Sequence, residues 1–135
     1  MIAESLARYL EDQGEGVLGE SIFVSFQPDK PHDVVVVYDE GAPGSDDSSA
    51  HPVDQVGIQI LVRDRSYESA RDKAFSIHRR IANFGAQPFV AGTPVVDVVW
   101  PVASPQPVGP DEQGRPEWSG HYTVRIESTG DQWRA

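Results

Sequence analysis

Hydrophobic and polar positions are most regular between Val56 and Phe84, where two different periods follow each other. Branched side chains recur at every second position of residues 56–63, which predicts a strand with one buried face. After a short polar turn, apolar residues recur at steps of three and four, which predicts a helix with one apolar stripe. That stripe consists of Tyr67, Ala70, Ala74, Ile77, Ile81 and Phe84. Ser66 is expected to cap the helix, and Gly85 is expected to end it in a left-handed conformation.

The rest of the chain predicts one more helix and four more strands. Apolar positions 2, 6, 9 and 10 predict an amphipathic helix that ends near Gln13. Strands are predicted at residues 22–26, 34–38, 95–100 and 121–127. The second of these contains four consecutive valines, which predicts burial on both faces and a place inside the sheet. We therefore expect an α+β fold, a mostly antiparallel sheet of about five strands with two helices packed on one face.

One domain spanning residues 1–135 accommodates these elements, and a chain of this length buries roughly two thirds of its unfolded surface. Segments rich in Gly, Pro, Asp and Ser predict two long loops, at residues 40–55 and 101–119. Residues 130–135 are expected to form a C-terminal tail. Its Trp133 has no partner that the pattern assigns within the domain, so this aromatic ring is a candidate for contact with a neighbour.

The net charge of −10 lies entirely in the first half of the chain. Up to Val62, 12 acidic and 2 basic residues give −10, whereas nine of each from Arg63 onward give zero. Such a surface repels phosphate, so specific DNA binding and anionic membranes are disfavoured as partners. The absence of cysteine excludes disulfides and thiol catalysis. No apolar run approaches the roughly 18 residues of a membrane span, and we expect a soluble protein used without export.

Residues 14–19 match the G-x-G-x-x-G fingerprint of dinucleotide-binding folds, and Asp39 lies near the expected distance for a ribose contact. The fingerprint must follow a strand and open a helix, whereas this segment follows a helix and runs into a strand. We therefore interpret it as a flexible connection. No nucleophile elbow, zinc helix or P-loop motif occurs, and the four histidines are scattered. The sequence predicts neither a catalytic site nor a cofactor.

The first predicted loop contains Asp46 and Asp47, followed by His51 and Asp54, a grouping that can suggest a cation site. The spacing lacks the regular oxygen ladder and closing Glu of an EF-hand. A solvated acidic loop without metal is the better interpretation.

The predicted helix carries a candidate subunit interface. Phe75 lies about 90° or more from the centre of the apolar stripe, beside Arg71 and Arg79. Such an aromatic ring either lies at the sheet margin or touches another chain. Six of the 11 basic residues fall between Arg63 and Arg80, and complementary basic and acidic strips permit head-to-tail association into a ring. A solvated helix face remains the alternative. The candidate interface residues are Arg71, Phe75, Arg79 and Trp133.

Three stretches of the sequence carry a resemblance to a known family: residues 2–10, residues 58–63 with 66–70, and residues 109–115 leading into a strand through Tyr122 and Val124. In this order they resemble the minor capsid or tail-terminator proteins of long-tailed, siphovirus-like phages. The resemblance implies a structural virion protein and no enzyme. It implies a subunit that assembles as a hexameric ring at the head-proximal end of the tail tube, stops tube growth and joins the tail to the neck.

The implied partners are further copies of the chain, the tail tube protein, and a neck, stopper or adaptor protein. Double-stranded DNA is expected to pass through without specific binding, and no membrane is involved. The implied location is the tail or neck of the virion, after assembly in the host cytoplasm. Because carboxylates repel DNA, the candidate lumen or ring-interface loop is the one with Asp46, Asp47 and Asp54.

Two alternatives stay open at this point. Another head-tail connector component, such as a head-completion or stopper protein, shares the small size and ring assembly. A small intracellular ligand-binding domain or an enzyme on a similar sheet is a less favoured alternative, and an enclosed polar pocket would support it.

Overall fold

A computed structural model describes residues 2–40 and 53–127, with side chains from residue 55 onward in the second range. The elements in chain order are α1 (Ile2–Asp12), β1 (Ile22–Val24), β2 (Val34–Asp39), β3 (Val53–Arg63), α2 (Tyr67–Ile81), β4 (Gly85–Pro88), β5 (Val95–Pro110) and β6 (Pro116–Glu127). The strands form one curled sheet in the order β1-β2-β3-β6-β5-β4. Among the strands of the described residues, only β1 and β2 pair in parallel. The α+β class is confirmed, and the described sheet has six strands where the sequence predicted about five.

Both helices pack on the same face of the sheet, as predicted. The α1 helix lies over β1 and β2, whereas α2 lies over β3, β5 and β6. Their apolar stripes bury one continuous core, whose largest fully buried members include Leu6, Leu10, Ile58, Ile77, Ile81, Tyr122 and Ile126. The alternating side chains of β3 join this core through Val56, Ile58, Ile60 and Val62, which confirms the predicted buried face. No described helix is long and apolar enough to span a membrane.

A smaller apolar cluster lies on the opposite face of the sheet. It contains buried Val34, Val36 and Leu61, with Phe23 and Tyr38 packed against it. Because β2 also contributes Val35 and Val37 to the main core, its valine run is buried on both faces. The strand lies between β1 and β3, inside the sheet, as the sequence predicted.

The N-terminus of α2 is capped as predicted, but its C-terminus is not. The Ser66 Oγ accepts a hydrogen bond from the N–H three residues on, at 3.1 Å. The residue in the left-handed region after the helix is Asn83 (φ 66°), not Gly85, so that prediction was wrong. Gly85 is needed for a different reason, since a Cβ there would lie 2.1 Å from the carbonyl oxygen of Asp97 on β5.

The two ends of the predicted helical stripe lie outside the buried face of α2. Tyr67 is 51% exposed, with its ring 5.4 Å from that of Trp118. Phe84 follows the helix, and its ring stacks on Phe89 at 4.8 Å. The stripe that α2 itself buries is therefore shorter than the sequence periodicity indicated.

The predicted loop at residues 101–119 is instead most of a long hairpin. The β5 strand continues through four prolines to Pro110, and β6 begins at Pro116, so only residues 111–115 connect them. Beyond Val98, the described part of the sheet gives β5 one strand neighbour, β6. Proline is tolerated on such an edge because its missing N–H is not needed for pairing. The other predicted loop, at 40–55, ends earlier than expected, because β3 begins at Val53.

Candidate interaction surfaces

The side of α2 that faces α1 is fixed by a buried carboxylate. Lys73, Ser76 and Arg80 lie within about 60° of one another at 100° per residue. All three donate to Glu15 in the α1–β1 connection, at 3.2, 2.7 and 2.5 Å respectively, and the Glu15 side chain is only 4% exposed. We call these four residues the Glu15 clamp. It ties the α1–β1 connection to α2 across 58 to 65 residues of sequence.

The clamp keeps Glu15 ionised. Burial raises the pKa of Glu15, but hydrogen bonds from Arg80, Ser76 and Lys73 together outweigh burial, and the net pKa is lowered. The connection that we interpreted as flexible is therefore anchored by a charged, fully bonded group. Sequence reasoning missed this role because a single Glu between two glycines carries no periodic signal.

The opposite side of α2 carries three of the predicted interface residues. Arg71, Phe75 and Arg79 follow each other at four-residue steps, about 130° round the helix from the clamp donors. Both arginines are exposed, and Phe75 is half-buried, with its ring 5.9 Å from that of Trp118. Phe75 thus lies at the sheet margin and still presents part of its ring to solvent. We call these three residues the Phe75 strip.

The two cations of the Phe75 strip have few contacts within the described residues. Arg71 has an exposed contact with Asp72, at 3.5 Å. Arg79 has no ion-pair partner within residues 2–40 and 53–127. The pKa of His78 is lowered, mainly because His78 is buried and also because the charge of Arg79 lies nearby. Of the basic residues on this helix, Lys73 and Arg80 bind Glu15, whereas Arg71 and Arg79 do not.

The four other predicted site residues lie partly or wholly outside the described residues. Asp46, Asp47 and Trp133 lie outside the described residues. The backbone of Asp54 pairs with Ile126 near the start of β3, and its side chain lies outside the described set as well. Their assignment to a lumen or an interface therefore stays a prediction.

A groove of about 370 Å³ runs along the outer edge of β1, on the flank that α1 covers. It is lined by Glu4, Arg8, Leu18, Gly19, Ile22, Phe23 and Val24. The turn before β1 presents Val17 and Leu18, which are 46% and 39% exposed. We call this surface the β1 groove. Sequence patterns did not predict the β1 groove, because it forms only where the turn brings residues of α1 and β1 together.

The turn beside the β1 groove is held by several hydrogen bonds. The Val17 carbonyl accepts from the N–H groups of Glu20, Ser21 and Ile22 at 2.9 to 3.0 Å. The Leu18 N–H donates to the Glu11 carboxylate at 2.8 Å. Four carboxylates (Glu4, Glu11, Asp12 and Glu20) and one cation (Arg8) belong to α1 and this turn, for a net charge of −3. The turn that borders the groove is therefore held in place, and the charged residues that line the groove itself are Glu4 and Arg8.

A second buried ionic group lies at the C-terminal end of β3. Arg63, only 2% exposed, donates to the backbone carbonyls of Asp29, Pro31 and His32 at 3.3, 2.6 and 3.1 Å. Burial lowers its pKa from the ordinary value, and the nearby Arg115 guanidinium acts in the same direction. Three carbonyl dipoles therefore replace the water around Arg63 and fix the β1–β2 loop.

Arg115 completes this group from the β5–β6 turn. It donates to the Asp29 carbonyl at 2.6 Å and forms an ion pair with Asp111 at 2.7 Å. Burial raises the pKa of Asp111, but hydrogen bonds from Arg115 and Gln113 lower it by more. The pKa of Asp111 is therefore below its ordinary value. We call Arg63, Arg115, Asp29 and Asp111 the arginine brace.

Ser119, His121 and Glu40 are arranged in the order of a Ser-His-carboxylate hydrolytic triad. His121 contacts the Ser119 hydroxyl and the Glu40 carboxylate, each at 3.3 Å. Ser119 is only 5% exposed, and its oxygen already accepts from Gln59 at 3.0 Å. A nucleophile must be accessible to its substrate, so we assign this row a structural role. Within the described ranges, no three His, Asp or Glu side chains are grouped to hold a metal ion.

A polar pocket of about 220 Å³ lies between the clamp and the brace. Its lining includes Glu15, Ser21, Arg63 and Lys73. These polar atoms already bind groups of the chain itself. The volume is below the roughly 300 Å³ at which small-molecule sites usually begin. The pocket therefore gives no support to a ligand-binding function.

Comparisons with known proteins point to one family. The family model described as bacteriophage tail terminator protein matches residues 9–128. Among solved structures, a chain described under "Virion of native gene transfer agent (GTA) particle" superposes with a TM-score of 0.61 and 14% identity, over 90% of this chain and 84% of that chain. At this identity the likeness shows the fold. A search of curated proteins finds no match.

Proposed function

The chain belongs to the bacteriophage tail terminator family, and we propose that it is the subunit of a ring that ends the tail tube at its head-proximal side. Membership makes it a structural component of the phage tail. The proposal adds six-fold assembly, arrest of tube growth and attachment to the neck. One observation carries it: the family match covers every described strand and α2.

The internal use of polar groups supports a structural role. The buried Glu15 and Arg63 bind groups of their own chain, Glu15 fixing a loop against α2 and Arg63 fixing a loop against the sheet. The charged groups left at the surface, such as Arg71 and Arg79, suit contacts between proteins. We propose that the protein is not an enzyme and needs no cofactor.

The proposed partners are the tail tube protein on one side of the ring and a neck, stopper or adaptor protein on the other. DNA passes through the ring without specific binding. The net charge of −10 supports this part of the proposal, because an acidic channel repels phosphate. We propose that Asp46, Asp47 and Asp54 face the channel or the adjoining ring.

Electron microscopy of tails assembled with and without this protein tests the terminator role. We expect tubes of one length when the protein is present and tubes of uncontrolled length when it is absent. Uniform tubes in its absence would contradict the role. Binding to purified tail tube protein, compared with binding to portal or adaptor protein, separates a terminator from a stopper or head-completion protein.

The channel assignment has its own test. The Asp46→Asn/Asp47→Asn variant removes two charges that the proposal places against DNA, and we expect reduced DNA delivery and infectivity with normal tail length. Glu112→Gln, in the β5–β6 turn, is the matched control. Unchanged infectivity, together with a density map that places residues 46 and 47 on the outer wall, would show that the assignment is wrong.

A further inference from the structure

We propose that the prolines of β5 keep the outer edge of this strand from pairing with a strand of another copy of the chain. The edge in question is the side of residues 99–110 that faces away from β6, and we call it the β5 edge. Its prolines are Pro101, Pro105, Pro107 and Pro110. A free subunit needs this protection whether or not it later ends a tail, so the terminator role is not assumed.

The β5 edge carries apolar side chains at the surface. Trp100, Val102 and Val108 are 41%, 68% and 54% exposed along this stretch. Within the part of the chain that the structure describes, no strand lies beside this edge beyond Val98. A long exposed edge strand with apolar side chains is a template on which a strand of another chain can pair. Such an edge needs a feature that prevents this pairing.

The prolines of β5 all oppose even-numbered residues of β6. The register gives three such pairs, Pro101 with Tyr122, Pro107 with Trp118 and Pro110 with Pro116. It also gives three pairs at odd-numbered residues of β6, Ala103 with His121, Gln106 with Ser119 and Gly109 with Glu117. Pro105 lies in the bulge between Ala103 and Gln106, opposite Gly120. Every proline of this stretch therefore belongs to the same class of position.

That class is the one whose N–H groups would point away from β6. In an antiparallel pair, residues that exchange both hydrogen bonds with the partner strand alternate with residues whose N–H and C=O point outward. Proline has no N–H to exchange, and strands tolerate it where the N–H would face away from the partner. The N–H groups that an added strand would need are therefore missing at four successive outward positions, opposite residues 122, 120, 118 and 116.

Bulges in β5 keep the prolines in this register. The register shifts at three places, between Pro101 and Ala103, Ala103 and Gln106, and Pro107 and Gly109. Pro107 and Pro110 are three residues apart, a step that would turn Pro110 inward in a regular strand. The bulge between them restores the outward position. Bulged edges also hinder the approach of a further strand.

Restoring two of the missing N–H groups tests the proposal. Pro107→Thr/Pro110→Thr places N–H groups at two successive outward positions, and both proline side chains are exposed, so little packing is lost. We expect the purified variant to associate about tenfold more tightly than the wild type, because the new N–H groups can donate to a second copy. Analytical ultracentrifugation measures the association, and infrared spectroscopy should show intermolecular β-structure.

Ser104→Thr/Gln106→Thr is the matched control. It adds two threonines to the same exposed stretch of β5 but no N–H group, since both residues already have one. We expect this control to associate like the wild type. Hydrogen exchange gives an independent readout, because the new N–H groups at residues 107 and 110 should be protected in the associated variant and should exchange rapidly when it is dilute.

Three results would overturn the proposal. Association no tighter than that of the wild type, in a variant that still unfolds cooperatively, would show that the prolines do not block the edge. Equally tight association of the control would trace the effect to threonine and not to the N–H groups. Protection of residues 107 and 110 in the dilute variant would show that these positions face β6. If the double variant does not fold, Pro107→Thr alone gives the same comparison, with a smaller expected effect.

Discussion

The Glu15 clamp fixes a loop to α2, the arginine brace fixes a loop to the sheet, and the two bury charges of opposite sign. The clamp buries a carboxylate, which is satisfied by two cations and one hydroxyl from a single helix. The brace buries the guanidinium of Arg63, which is satisfied by three backbone carbonyls of a single loop. The Glu15 clamp therefore depends on other ionised side chains, whereas the Arg63 contacts of the brace depend only on the path of the backbone.

This difference predicts different responses to solution conditions. The carboxylate of Glu15 titrates at acid pH, and its partners Lys73 and Arg80 are about one third exposed, at 34% and 37%, so salt can screen them. Arg63 stays charged across the accessible pH range, and its carbonyl partners do not titrate. The clamp should weaken in acid and high salt, and the Arg63 part of the brace should not.

The largest expected effect on stability comes from changes in the hydrophobic core, on which both the Glu15 clamp and the arginine brace depend. Ile77 is 1% exposed on α2, and Ile77→Asp adds an unpaired buried charge to the loss of apolar contacts. That combined cost is comparable to the roughly 5–15 kcal/mol by which domains are stable. We expect no cooperative thermal unfolding transition for this variant, or for Ile60→Asp, which is buried on the same face. A wild-type thermal midpoint for either variant would show that the core face is misassigned.

The next largest effect is expected for Arg63→Met. This change leaves the Pro31 and His32 carbonyls of the β1–β2 loop without their donor, whereas the Asp29 carbonyl still accepts from Arg115. The cost is roughly 1–3 kcal/mol for each carbonyl that water cannot reach. Because water can reach some of them, we expect a loss of about 2–4 kcal/mol in the free energy of unfolding. Urea unfolding at pH 7 and pH 4 measures it, and the loss should be similar at both pH values. A loss confined to neutral pH would contradict a brace built on carbonyl groups.

A smaller and pH-dependent effect is expected for Glu15→Gln. The folded-state pKa of Glu15 is lowered from 4.5, so its stabilisation is fully present above that value and is lost as the pH falls through the folded pKa. At pH 7 we expect a loss of about 1–3 kcal/mol, because the change removes a charged acceptor from three donors.

Unfolding measured between pH 7 and pH 3 checks this sign. The wild type should lose stability over that range faster than Glu15→Gln, and the two curves should approach each other in acid. Raised salt should reduce the difference at pH 7. Parallel curves over the whole range would show that the clamp carboxylate does not stay ionised in the folded protein.

The smallest effect is expected for Asp29→Asn in the brace. Its carboxylate accepts from Arg115 at 3.2 Å, but the side chain is 65% exposed, unlike that of Glu15. An exposed ion pair contributes roughly 0–1 kcal/mol. Thermal unfolding should therefore show a shift of a few degrees or less, and a loss as large as that of Arg63→Met would reverse our ranking of the brace contacts.

Part of the candidate site could be predicted from helix periodicity, and part depended on tertiary contacts. The grouping of Arg71, Phe75 and Arg79 could be predicted, because three residues at four-residue steps share a helix side wherever the helix lies. Their division from Lys73 and Arg80 could not, since only the position of Glu15 decides which cations turn inward. The β1 groove could not be predicted either, because α1 and β1 form it jointly.

The sequence by itself determined the local elements with strong periods: the buried face of β3, the stripe of α2 with its Ser66 cap, and the interior place of β2. Each of these follows from side chains within one turn or one strand, so it is a local property. Only the tertiary structure decided that the prolines of β5 lie in a strand, that Asn83 ends α2, and that Glu15 and Arg63 find their partners. These outcomes depend on groups far apart in the chain, such as Glu15 and Arg80, which are 65 residues apart, and no local pattern records them.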